Sequence, residues 1–251
     1  MKKIMFVIRD GFDAKFICTK LNYDKKKYQV FYVIESGTAA RRKKAKRMIQ
    51  KRKNICAVFL DLCCLYLYDK IMLGKMKKLC GKQEYPAGMS YEKISDVNEK
   101  KCLDICHRIS PDIVMIYGSG ILNSRTIRSF GREIYNIHSS MLPYYRNVHS
   151  DFWAYMNDDY DKIGITIFKL ARGIDTGSIA MQMPCGLSKE AGLAEHKVRN
   201  LNHITELLPR FWDDYFENRV SLAVQDEREG SAATTPGASD FIRFIRKRRM
   251  K

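Results

Sequence analysis

The stretch DIVMIYGSG, residues 112–120, decides how this chain is read. Its apolar run, Ile113 to Tyr117, is bounded by Pro111 on one side and by Gly118 and Gly120 on the other. A run that short, rich in β-branched side chains and closed by glycine, predicts a buried strand opening into a loop. Upstream, 99–110 predicts a helix that stops before Pro111, because the residue preceding a proline is disfavoured in helical geometry. Further back, 4–9 predicts a strand, Asp10-Gly11 a turn, the residues through Leu21 a helix, and 28–34 a second strand. Downstream, 125–130 predicts a short helix closed by Gly131, 133–138 a strand, 150–157 a helix and 162–170 a strand. Alternation of this kind predicts an α/β domain with a largely parallel sheet flanked by helices. The first strand–helix turn has no G-x-G-x-x-G, which argues against a dinucleotide site.

The remaining segments depart from that rhythm. Residues 36–80 form a basic and then apolar insertion, read as a pair of helices packed on the domain, with an amphipathic, membrane-resting helix as the alternative. Asp61, Asp69 and Lys70 interrupt its apolar half, so a membrane span is not expected. Residues 81–96 are read as a loop. After Cys185 the pattern gives a helix over 188–212, a short strand over 221–225, a Gly/Ala/Thr/Pro-rich stretch over 230–238 and a terminal helix. The expected organisation is a catalytic domain over 1–185 and a C-terminal extension over 186–251.

Composition narrows the functional classes. The chain of 251 residues is 45% apolar, with 14 Tyr and 12 Phe, enough for a sizeable core. Its formal charge of +17 favours anionic partners. The excess is concentrated in a run without acids over 41–53 and in a second cluster from Arg243 to Lys251. The first holds no aromatic residue and the second only Phe244, short of the interleaved aromatics of a base-stacking platform. The 8 cysteines show no paired C-x-x-C spacing, and the first residues give no secretory h-region, so reduced thiols and a cytoplasmic location are expected. Cys102, Cys106 and His107 lack a second ligand pair, and no metal is expected.

Asn136 and His138 are two apart in a predicted strand, so they project from one face near its carboxyl end. Parallel sheets place their ligand crevices there. A polar pair beside Ile134, Tyr135 and Ile137 costs stability unless it is satisfied or used. Downstream, Leu-Ala-Arg-Gly-Ile-Asp-Thr-Gly, 170–177, is a strand running into a turn whose one acid is Asp175. An acid held near a histidine would orient its ring.

Together NIHSSMLPYYR, from Asn136, and GITIFKLARGIDTGSIAMQ, from Gly164, resemble the formyltransferase family, whose members use 10-formyltetrahydrofolate. The resemblance implies a Rossmann-like formyltransferase fold and makes Asn136, His138 and Asp175 the catalytic groups: Asn136 and His138 as donors to a developing oxyanion, Asp175 as partner of His138. It implies folate contacts at Gly120, Leu122, Leu170, Ala171 and Arg172. Asn147, His149 and Ser150, with Trp153, would line the acceptor side. Ser139 stands where Pro is common and Asn147 where Gly is usual. Among the family's acceptors an amino-sugar nucleotide is favoured, because too few residues follow the core for the barrel of the methionyl-tRNA enzymes. A tRNA acceptor is the alternative. A membrane-associated binding protein that keeps the fold is the reading from another class.

Overall fold

The computed structural model describes residues 1–37 and 55–249; the basic run over 41–53 lies outside them. A seven-stranded sheet runs in the order β3-β2-β1-β4-β5-β7-β8. Its strands are β1 (Lys2–Arg9), β2 (Tyr28–Glu35), β3 (Tyr91–Ile94), β4 (Ile113–Tyr117), β5 (Ile134–His138), β7 (Gly164–Lys169) and β8 (Ile179–Pro184). The five from β3 to β5 are parallel; β7 runs antiparallel to β5, and β8 antiparallel to β7. A short parallel pair, β6 (Tyr145–Asn147) with β9 (Ser231–Ala233), stands beside it.

Alternation along each strand divides the core between two faces. On one face, Ile4, Phe6 and Ile8 of β1 join Ile113 and Met115 of β4 and Tyr135 and Ile137 of β5. These pack against α1 (Phe12–Lys20), α2 (Ile55–Cys80), α5 (Ser150–Met156), α6 (Leu193–Phe216) and α7 (Ala238–Arg249). On the other face, Met5, Val7, Val114, Ile116 and Ile134 meet α3 (Lys100–Ile109) and α4 (Ser124–Phe130). The pattern places Asn136 and His138 on the second face, in line with Ile134. Residues on both sides of position 185 share the larger cluster, with Trp212 of α6 buried against Tyr23 and Tyr28.

Two expectations are corrected, over 81–96 and over 221–225. Residues 81–96 are not all loop: β3 pairs with β2 through Tyr32↔Tyr91 to Glu35↔Ile94. Its four residues include Glu92 and Lys93, too polar and short to signal a strand locally. Of the pair of helices expected over 36–80, the described residues hold one, the 26-residue α2, which Gly74 does not break, and residues 38–54 lie outside the described residues. Residues 221–225 are not a strand; only Ala223 bridges, to Ile179. The stretch over 230–238 contains β9. Among the described residues no helix is long and apolar enough to cross a membrane.

Candidate active site

The carboxyl end of β5 carries His138 into a turn that folds back over it. The turn contains a cis Leu142–Pro143 peptide and returns as β6. Thr166 of β7, opposite His138 in the register, pins the turn: its hydroxyl donates to Ser140 O at 2.7 Å and accepts from Leu142 N at 3.1 Å. Gln182 of β8 donates to the same hydroxyl at 2.9 Å and to Leu142 O at 2.8 Å. The folded-back strand brings the Tyr145 carbonyl to 2.7 Å from His138 Nε2, where Ser140 Oγ also donates to it at 2.7 Å.

That contact decides the tautomer. A carbonyl oxygen only accepts, so Nε2 carries the proton and Nδ1 of the neutral ring keeps its lone pair. Nδ1 faces Asp175 Oδ2 at 3.6 Å, with both side chains largely buried. The histidine, predicted as an N–H donor to an oxyanion, thus has its neutral-ring proton committed to Tyr145. Asn136, two residues earlier, is partly buried, opposite Phe168 on β7, and its amide makes no hydrogen bond with the described residues. A basic nitrogen and a carboxylate therefore meet at one end of the sheet, with the Asn136 amide on the same strand face two residues earlier.

Asp175 belongs to the β7–β8 turn and has φ 55°, a left-handed conformation that Asp tolerates better than most residues. Its Oδ2 accepts from Asn147 N at 2.7 Å. Its carbonyl accepts from Gln225 Nε2 at 3.0 Å, and the same amide donates to Gly177 O at 2.5 Å. Gly177 is required for another reason: a Cβ there would lie 1.7 Å from Lys169 O.

The other expected residues divide. Leu122 and Leu170, on the loops after β4 and β7, pack against the cluster on the Asn136 face, while Ala171 and Arg172 are exposed. Ile121 and Ile174, which sequence reading did not single out, stand exposed on the same two loops. The N–H of Gly120 donates to buried Glu35 Oε2 at 3.0 Å and its carbonyl accepts from Ser119 Oγ at 3.2 Å. Glu35 also binds Val97 N at 2.9 Å, with Arg9 Nη2 3.5 Å away. Asn147 has φ 74°, uses its N–H on Asp175, and donates from Nδ2 to Ala233 O at 2.9 Å. Ser150 is buried, its Oγ 3.4 Å from Ser139 O. Of the predicted acceptor set, Asn147 and Ser150 are thus engaged within the protein, and His149 is a partly exposed residue at the start of α5.

Beside the site lies a buried polar group that no motif announced. Tyr117 OH donates to Asp13 Oδ2 at 3.1 Å, and burial pushes the Asp13 carboxyl above its ordinary range. Asp151 pairs with Lys197; burial acts to raise its carboxyl, but the ammonium outweighs this and holds it below the ordinary range. Burial pushes the thiol of Cys102 up to about 12 and that of Cys106 up to about 11. Among the described residues no three metal-ligating side chains converge.

Comparison with known proteins adds a lineage to this geometry. Residues 1–211 match the family described as formyl transferase. The methionyl-tRNA formyltransferase of Thermotoga maritima is 24% identical over 174 residues, covering 69% of this chain and 54% of that protein. The chain spans about half the length of the curated relatives it matches. Among solved structures, a 4-N formyltransferase from Francisella tularensis is 18% identical with TM-score 0.57, over 92% of this chain and 76% of that one. The formyltransferase PseJ from Anoxybacillus kamchatkensis, in complex with UDP-4,6-dideoxy-4-formamido-L-AltNAc and tetrahydrofolate, is 14% identical with TM-score 0.52, over 97% of this chain and 90% of that one.

Proposed function

The chain belongs to the formyl transferase family, and from that premise we propose that it transfers a formyl group from 10-formyltetrahydrofolate to a primary amine. The observation that carries this reading is the fixed ring of His138: Nε2 held by the Tyr145 carbonyl, Nδ1 turned toward Asp175 at 3.6 Å. The amine nitrogen attacks the formyl carbon, forming the new C–N bond and placing negative charge on the formyl oxygen. Asn136 donates an amide N–H to that oxygen; one such donor is worth about 100- to 1,000-fold in rate. His138 Nδ1 takes the proton from the attacking amine, and the resulting imidazolium is countered by Asp175. The same proton then passes to the folate nitrogen as the old C–N bond breaks. No covalent enzyme intermediate is required. Leu122, Leu170, Ile121 and Ile174 suit a flat, partly apolar pterin, with main-chain groups after β7 supplying its polar contacts.

For the acceptor we favour an amino-sugar nucleotide, whose pyrophosphate suits a chain of formal charge +17. A charged tRNA is the other anionic amine the chain's relatives suggest. The test is tetrahydrofolate release from 10-formyltetrahydrofolate with a panel of amino-sugar nucleotides and aminoacylated initiator tRNA, in a cytoplasm-like buffer. Turnover with tRNA alone would overturn the sugar assignment, and no turnover with any amine would overturn the enzyme.

One observation favours an added peripheral role. The outer face of α2 exposes Ile55, Phe59, Leu60, Tyr66, Leu67 and Ile71, each between 56% and 71% exposed. Lys70, Lys77 and Lys78 lie exposed on the same helix. A second copy would bring like charge to that face, whereas an anionic lipid surface complements it. Flotation with phosphatidylglycerol vesicles should capture the protein, and Leu67→Asp should release it. Absence of flotation would end this reading.

A further inference from the structure

Resting on the role given above to Asp175, we propose that Gln225 is a positioning residue for the reaction, acting through the Asp175 turn, and that residues 221–237 form a strap completing the site. The family match ends at residue 211, so the strap lies beyond it.

The Asp175 turn is weak on its own. A non-glycine residue at positive φ is strained and persists only where its surroundings over-determine it. Asp175 meets that condition through two partners. Its carboxylate is held by the N–H of Asn147, and its carbonyl by the buried amide of Gln225, which also holds Gly177 O. Gln225 thus closes a clamp over both ends of Asp-Thr-Gly. Its Oε1 accepts from Arg146 Nη2 at 3.4 Å, tying the clamp to the turn that bears the Tyr145 carbonyl.

The strap is anchored along its length. Ala223 and Ile179 exchange backbone hydrogen bonds of 2.7 and 2.8 Å. Gly230 approaches so closely that a Cβ would lie 2.4 Å from Pro143 O. β9 then pairs with β6, Asn147 Nδ2 binds Ala233 O, and Trp153 Nε1 donates to Thr234 O at 2.7 Å. One segment therefore grips both halves of the site: the turn that fixes the histidine tautomer and the turn that presents the acid. Asn147 fits this reading. Its backbone takes the left-handed geometry natural to glycine, and its amide reaches the strap.

The test compares Gln225→Ala with Asp175→Asn and with Val224→Ala, an exposed strap neighbour, in the full-length protein. For Gln225→Ala, kcat should fall about 10-fold or more, since a displacement near 1 Å can cost about 100-fold. KM and Kd for 10-formyltetrahydrofolate should stay within about twofold, because Gln225 holds residues 175 and 177 and a group placed for the transition state alone lowers kcat without raising KM. Val224→Ala should match wild type. A crystal structure of Gln225→Ala should show Asp175 withdrawn from His138. Gln225→Glu, which sets a carboxylate against two carbonyls, should reproduce the loss at neutral pH. Wild-type kcat in Gln225→Ala, or an Asp175–His138 separation unchanged from 3.6 Å in its crystal structure, overturns the positioning role. If Asp175→Asn is itself fully active, the reading of the aspartate fails, a result distinct from failure of Gln225 alone.

Discussion

His138 and Asp175 face each other, yet different physics holds each in place. The histidine stands on a central strand, hydrogen-bonded between β4 and β7, and its ring is oriented by a carbonyl seven residues on. The aspartate stands on an outlying turn with unfavourable backbone geometry, secured by groups 28 residues before and 50 residues after it. A strand-borne group inherits its position from a cooperative sheet. A loop-borne group must have it supplied contact by contact. The difference teaches where the site is fragile.

The largest expected effect breaks the strand side chemically. His138→Ala should lower formyl transfer about 100- to 10,000-fold, the usual range for a lost acid–base group. Circular dichroism and folate binding should remain near wild type; unchanged turnover would remove the histidine from the reaction. Next, Gly177→Ala attacks the loop side sterically, because its Cβ would meet Lys169 O at 1.7 Å. The turn must shift while His138 stays, so kcat should drop about 10- to 100-fold. Equal kcat would show the aspartate's placement to be less demanding than argued. Third, Thr166→Val removes a buried hydroxyl shared by Ser140, Leu142 and Gln182, and should cost about 1–3 kcal/mol of stability by urea denaturation. A loss confined to activity would mean that Thr166 serves the site and not the sheet.

The smallest effect separates fold from site in pH experiments. His196, fully buried between the rings of Tyr155 and Tyr160, is held below the ordinary histidine range by burial. Its unfolded counterpart takes up a proton near about pH 6.5, so the unfolded state binds more protons below that pH. This contribution to stability is full above pH about 6.5 and is lost as pH falls toward the depressed folded value. His196→Phe should flatten the decline of melting temperature between pH 7 and about 5. An unchanged slope would place the acid sensitivity elsewhere.

Much of the strand side was legible because its signals are local. The run Ile113–Tyr117, the polar pair at Asn136 and His138, and the glycine-flanked Asp175 each announce themselves within a few residues. What escaped reading was assembled over distance. β3 carries Glu92 and Lys93 and is a strand because β2 offers an unpaired edge. Gln225 sits in a segment whose local propensity suggested a strand, while its buried amide is occupied by carbonyls 48 and 50 residues earlier. The loop of Gly120, an expected folate contact, likewise gives an N–H to Glu35, a buried acid that Val97 from another loop also binds.

By itself, the sequence determined the alternating α/β order, the strand that carries the histidine and the turn that carries the acid. Those depend on side-chain period and on glycine geometry, which act over a few residues. Tertiary structure alone decided which nitrogen of His138 holds the proton, which groups Asn147 and Gln225 hold, and which residues of α2 are left exposed. Those follow from hydrogen bonds and burial between segments far apart in the chain, which no local pattern encodes.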